Sequence, residues 1–160
     1  MKKKAYTVSL LVNNKPDVLS RVSGTLGGRG YNIESLCVNT TMDPEISKIV
    51  LTTISNKTSV IQIKKQLDKL VDVRKTSVLT NGNATEREMA LIKMNVTEEN
   101  ISEIRKAIDT LKCRIVFMGA NCCILEATGR QDEIETALNY LKPMGIEDIA
   151  RTGTIALGRK

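Results

Sequence analysis

The sequence predicts an α+β chain made of two ferredoxin-like βαββαβ domains in tandem, residues 1–80 and 81–160. Three observations predict it. The spacing of apolar residues switches between a period of two and a period near 3.6 in the same order twice. A polar, breaker-rich stretch, Thr80-Asn81-Gly82-Asn83-Ala84-Thr85, separates the two passes. The chain has 160 residues with 41% hydrophobic but only 2% aromatic content, which suits two small aliphatic cores.

The elements follow in order. Tyr6 to Val12 reads as a strand. Asp17 to Gly27 places Val18, Leu19, Val22 and Leu26 on one helical face, and Gly27, Gly28 and Gly30 end it. Asp17, beside Pro16, reads as the N-cap of that helix. Tyr31 to Thr40 and Lys48 to Ile54 are β-rich, with Asn32 opening the first of them and Met42-Asp43-Pro44-Glu45 as the turn between them. Ser59-Val60-Ile61-Gln62 fits a capping box, and Val60, Ile63, Leu67 and Leu70 follow at helical spacing. Asp72 to Leu79 returns as a strand. This β-α-β-β-α-β order is the ferredoxin-like motif. After the linker, Met89 to Val96 is a strand, and Ile101, Ile104, Ile108 and Leu111 mark a helix. Cys113–Met118 and Cys122–Thr128 make a hairpin about Gly119-Ala120-Asn121. Ile134, Ala137, Leu138 and Leu141 mark a last helix, ended by Pro143 and Gly145. Residues 146–157 close the chain as a broken strand.

Composition excludes several functions. The absence of histidine removes the commonest general base and the commonest metal ligand. The four cysteines, at 37, 113, 122 and 123, form no CxxC pair. They read as reduced, mostly buried thiols, and no metal site is expected. The net charge of +6 is spread among acidic residues apart from Lys2-Lys3-Lys4, and stacking aromatics are scarce, so no nucleic-acid partner is expected. Lys2 to Val12 is too short and too interrupted for a signal peptide, and no stretch suits a membrane span, so a cytoplasmic protein is expected. Gly27-Gly28-Arg29-Gly30 follows a helix rather than opening one and lacks the spacing of a phosphate loop. The acidic pairs Glu98-Glu99 and Glu133/Glu135 fall near helix starts, where the helix dipole accounts for them. No catalytic residue is expected.

Two turns carry the functional signal. Asn13-Asn14-Lys15-Pro16-Asp17 joins the first strand to the first helix, where free backbone amides can receive a carboxylate. Arg29-Gly30-Tyr31-Asn32-Ile33-Glu34-Ser35-Leu36 joins that helix to the next strand. Asn14 and Asn32 can together bridge an ammonium and a carboxylate, the groups every amino acid shares. Turn geometry alone is the other reading of both asparagines.

With Asn14-Lys15-Pro16-Asp17-Val18-Leu19-Ser20-Arg21-Val22, these residues resemble the amino-terminal ACT domain of the acetolactate synthase (acetohydroxyacid synthase) small subunit. The resemblance extends to 67–73, to 86–93 and to Glu147-Asp148-Ile149-Ala150-Arg151-Thr152-Gly153, so it covers both halves. It implies a non-catalytic regulatory subunit with an ACT domain in its first half. The implied partner is a separate catalytic subunit holding thiamine diphosphate, Mg²⁺ and FAD, with no cofactor in this chain. The implied effector is valine or another branched-chain amino acid, bound where two ACT domains pair as a homodimer. Asn14 and Asn32 match the family's ligand-contact positions, with Asp17, Val18, Ile33 and Ser35 as pocket neighbours. Two positions depart from the family pattern. Asp17 stands where Gly is usual, which bears on feedback inhibition. Gly27 stands where a bulky apolar residue is usual, and a looser end to the first helix is expected from it. A stand-alone amino-acid-responsive ACT regulator is the alternative. An acylphosphatase-like module comes third and lacks its anion loop.

Overall fold

The structure, a computed structural model, describes residues 3–79 and 82–159. Lys2 of the basic run and Thr80-Asn81 of the expected linker lie outside the described residues. The chain divides into two compact units, Met1–Thr85 with Gly153–Lys160, and Glu86–Thr152. The division therefore differs from a cut at residue 80. The last residues return to the first unit, because β9 (Ile155–Gly158) pairs with the start of β5 (Ala84–Asn95).

In the first unit β1 (Lys4–Asn13), α1 (Val18–Gly27), β2 (Ser35–Thr40), β3 (Ile46–Ser55), α2 (Lys57–Leu67) and β4 (Val73–Leu79) follow in sequence. The sheet order is β2-β3-β1-β4, with antiparallel neighbours. Alternation along β1 sends Val8, Leu10 and Val12 to the helices, opposite Leu51, Ile49 and Ser47 of β3. Val18, Val22 and Leu26 of α1 and Val60, Ile63 and Leu67 of α2 complete that core. Each such side chain contributes roughly 1.5–3 kcal/mol by leaving water.

The other face of this sheet carries Thr7, Ser9, Val50 and Thr52, all buried. Part of its cover is the tail: Val50, Leu79, Ala84 and Ala156 form one apolar cluster. A chain ending at residue 80 lacks Ala84 and Ala156 from that cluster. We expect such a fragment to unfold at lower denaturant than a version with residues 153–159 supplied as a fused strand. Equal urea midpoints for the two would remove the tail from the fold of this unit.

The second unit repeats the pattern. The body of β5 is followed by α3 (Ile101–Leu111), β6 (Arg114–Met118), β7 (Cys122–Gly129), α4 (Gln131–Leu141) and β8 (Ile146–Arg151), in the order β6-β7-β5-β8. Ala90, Ile92 and Met94 alternate inward and meet Ile104 and Ala107 of α3 and Ile134 and Leu141 of α4. A 3₁₀ turn, Lys142–Met144, then ends at Gly145 with φ of 98°. Cys123 is in the core, whereas its neighbour Cys122 is half-buried on the other face.

Several boundaries move. Asn32 does not open a strand: β2 begins at Ser35, and residues 31–34 are irregular. There the Tyr31 N–H closes α1 by donating to Leu26 O, which takes the chain out of the ladder. The capping box read at Ser59 is displaced too. Asn56 is the cap, accepting from the Ser59 N–H at 2.8 Å, and α2 starts three residues earlier. Ala84 and Thr85, expected in the linker, already belong to β5.

Candidate functional site

Both candidate turns lie in the first unit. The Asn13–Asp17 turn is fastened to the chain before β4. The Asn13 N–H donates to Asp72 O at 2.8 Å, and its side-chain amide donates to Asp72 Oδ1 at 3.0 Å. Arg74 Nε donates to Asn13 Oδ1 at 2.6 Å. Lys15 Nζ and Arg21 Nη1 stand 3.5 and 3.4 Å from the Asp72 carboxylate. The Asn13 hydrogen bond and the two cations hold the Asp72 carboxyl below its ordinary range despite the cost of desolvation. Asn13 and Asp72 were not singled out by sequence. Their signal, an Asn ending one strand and an Asp preceding another, acquires meaning only once β1 and β4 are known to be neighbours.

Asn14 and Asn32 are exposed. The Asn14 side-chain amide donates to Pro44 O at 2.8 Å, and its N–H donates to Glu45 O. The Asn32 side-chain amide donates to Glu34 Oε1 at 2.7 Å, and its main-chain carbonyl accepts from Thr53 Oγ1 at 2.7 Å. Ile33 is half-buried against the core. Ser35 Oγ and Thr52 Oγ1 share a hydrogen bond of 2.7 Å. Val18 is turned into the core, with 5% of its surface exposed.

Asp17 corrects an expectation. It stands before α1 with φ of 69° and ψ of −11°, and its side chain makes no cap hydrogen bond. A capping residue sits in the extended region, where its oxygen can reach back to the helix amides. The left-handed conformation of Asp17 rules that out, so its carboxylate does not occupy the first-turn amides of α1. A non-glycine residue is strained there, which accounts for the usual Gly at this place. Gly27, the second departure, is exposed, and a Cβ there would meet nothing within 4 Å. The Tyr31 N–H closes α1 on Leu26 O.

A shallow cleft of about 170 Å³ is lined by Val18, Arg21, Lys69, Leu70, Asp72 and Val73. A second, more open one runs along Gly24, Thr25, Gly28, Arg29 and Gln66. Neither includes Asn14, Asn32, Ile33 or Ser35. Asn14 and Asp17 lie on the turn before α1, Val18 opens α1 and lines the first cleft, and Asn32, Ile33 and Ser35 lead into β2, so the six do not share either cleft.

Chemistry elsewhere is sparse. Among the described residues no three Cys, Asp or Glu side chains gather as a metal site. Burial pushes the Cys113 and Cys123 thiols up, which keeps them neutral. No described helix is long and apolar enough to cross a membrane. Of the acidic pairs, Glu133 does serve its helix, accepting from the Arg130 N–H at 2.6 Å. Glu135 does not: it binds Arg151 Nη1 at 2.6 Å, while Arg151 Nε binds the buried Glu88. Sequence spacing gave no sign of this three-residue network.

Comparison with known proteins covers both units. A family model for the small-subunit-like ACT domain of acetohydroxyacid synthase matches residues 8–75, and one for the small subunit of acetolactate synthase matches residues 87–160. A probable acetolactate synthase small subunit of Archaeoglobus fulgidus is 36% identical over 154 residues, 96% of each chain. The acetolactate synthase small subunit of Bacillus subtilis is 36% identical over 153 residues, 95% of this chain and 89% of that one. The crystal structure of the acetolactate synthase small subunit of Thermotoga maritima superposes with a TM-score of 0.90 at 34% identity over 98% of each chain.

Proposed function

The chain belongs to the acetolactate synthase small-subunit family, and from that premise we propose that it activates a thiamine-diphosphate-dependent catalytic subunit and makes it responsive to a branched-chain amino acid, valine first. The observation that carries this reading is the extent of the match. It spans both units at matching length, whereas an ACT sensor attached to another machine would share only the first. A small subunit implies a large one. On this reading the catalytic partner brings thiamine diphosphate, Mg²⁺ and FAD, and this chain brings no reacting group. Its contribution is to shift the partner between more and less active conformations, which requires different affinity for the two.

Three features support an effector at the paired turns. The first-turn amides of α1 are not taken by Asp17. The Asn14 and Asn32 carboxamides stand at the surface. Asn14, Asn32, Ile33 and Ser35 line neither cleft, which suits a site completed by a second copy of the ACT domain. Cytoplasmic residence belongs to the same proposal.

The test is reconstitution with the cognate catalytic subunit. The isolated chain should form no acetolactate. The pair should turn over faster than the catalytic subunit alone and should be inhibited by valine, leucine or isoleucine. Turnover by the isolated chain, or no effect on the partner, would overturn the reading. Asn32→Ala should weaken effector binding by roughly 1–3 kcal/mol, the cost of leaving a charged ligand group short of one hydrogen bond. Calorimetry on the wild-type and variant chains measures it.

A further inference from the structure

We propose that Gly153 and Thr154, in the carboxy-terminal tail, are positioning residues for the effector turn that precedes β2. The inference rests on the effector reading above.

The tail leaves β8 held at both ends. On one side Arg151 is bound to Glu88 and Glu135, and the Thr152 N–H donates to Met89 O at 3.0 Å. On the other, Ala156 is packed with Val50, Leu79 and Ala84. Between these anchors the backbone passes directly over the start of β2. Gly153 has φ of +75°, and a Cβ there would stand 3.3 Å from Leu36 O, 3.3 Å from Ser35 Cβ and 3.4 Å from Leu36 N. Thr154 is 4% exposed, and its N–H points at Ser35 Oγ at 3.4 Å. Ser35 Oγ is bonded to Thr52 Oγ1, the Glu34 N–H donates to Thr52 O, and Asn32 O accepts from Thr53 Oγ1. Residues 32–36 are therefore gripped by β3 along one edge and by the tail at Ser35 and Leu36. Glycine takes both the left-handed backbone and this approach without strain, whereas a Cβ would make Ser35 and Leu36 give by a few tenths of an ångström. Of the candidate effector residues, Ser35 is touched by the tail at its Cβ and Oγ, Leu36 beside it is touched at its backbone, and Asn32 lies three residues upstream on the same short segment, held by Thr53.

The experiment uses full-length chains reconstituted with the catalytic subunit. Gly153→Ala adds both strain and the Cβ contact. Gly153→Asn adds the Cβ with less strain, since Asn tolerates this conformation. Gly82→Ala is the strain control, because Gly82 has φ of +104° and open space about its Cβ. We expect the Gly153 variants to activate the partner without effector as wild type does, but to need at least about fivefold more valine for half inhibition. Gly82→Ala should stay within about twofold, below the range of allosteric coupling. Gly153 variants that track the control overturn the inference while leaving the effector reading standing. A wild-type pair that responds to none of valine, leucine and isoleucine overturns both. Hydrogen exchange on the wild-type chain adds a readout that needs no variant. Valine should protect 153–156 together with 32–36, and protection that stops short of the tail overturns the inference.

Discussion

Replacing Arg151 by Met is expected to lower the stability of the second unit by roughly 2–4 kcal/mol, somewhat below the loss from a fully enclosed ion pair because Arg151 is partly open to water. Glu88 is 2% exposed and has the Arg151 guanidinium as its cationic partner. A buried carboxylate stripped of its cation keeps the whole cost of its desolvation and loses what offset it. Arg151 is itself strengthened as a cation by the Glu88 hydrogen bond, with Glu135 adding to it. Met retains most of the aliphatic packing, so the loss reports the charge rather than a cavity. For a chain of this length the change corresponds to a fall in Tm of roughly 5–15 °C. The double replacement Glu88→Met with Arg151→Met should recover most of it, since an apolar pair leaves nothing unpaired. Urea denaturation of the four chains of this cycle measures the coupling directly. A single variant within about 0.5 kcal/mol of wild type, the ordinary range of a surface change, would mean that water reaches Glu88 in solution.

This pair also marks where sequence reading stops. The helices and the inner strands were legible because their evidence is local. Val18, Val22 and Leu26 lie four residues apart, and Ala90, Ile92 and Met94 alternate. The repeated βαββαβ order followed from such runs, and the same strand order recurs in both sheets. What was not legible depends on partners distant in sequence. Glu135 lies in a helix and suggested the helix dipole, yet its partner is Arg151 on β8. The broken last strand was visible, but its second part, β9, pairs with the start of β5 rather than extending β8. The entry to β2 was read too early because Tyr31 and Ile33 are good strand formers. Hydrogen bonds to Leu26 and Thr53 hold that segment in an irregular path instead. The candidate site divides in the same way. Asn14 and Asn32 were expected from turn chemistry and the family resemblance, whereas the contacts of Asn13, Asp72, Gly153 and Thr154 come only from the register of the sheet.

Asp17→Gly is the second large effect, expected both in stability and in the response to valine. A residue with φ of 69° leaves an L side chain in its least favoured allowed region, a strain of roughly 1–2 kcal/mol for a typical residue and less for Asp, whose short polar side chain tolerates it, and Gly relieves that strain. We therefore expect a small rise in Tm. The larger consequence is electrostatic. Because Asp17 makes no cap bond, its charge remains at the turn where the effector carboxylate would meet the α1 amides. Two like charges roughly 8 Å apart repel by about 2 kcal/mol at an effective dielectric near 20. Screening at physiological ionic strength leaves about a third of that, since the separation is close to one Debye length. The remainder weakens binding roughly three- to fivefold. Asp17→Gly in the reconstituted pair should lower the valine concentration for half inhibition by that factor and leave activation intact. Asp17→Asn separates the two contributions: it keeps a side chain that tolerates the conformation and removes the charge, so it should recover most of the sensitivity but little of the Tm. The gap between Asp17 and either variant should narrow as salt is raised, because the field is screened while the backbone strain is not. Equal valine sensitivity of all three chains at low salt would place the Asp17 carboxylate outside the effector's field and leave backbone conformation as its only consequence.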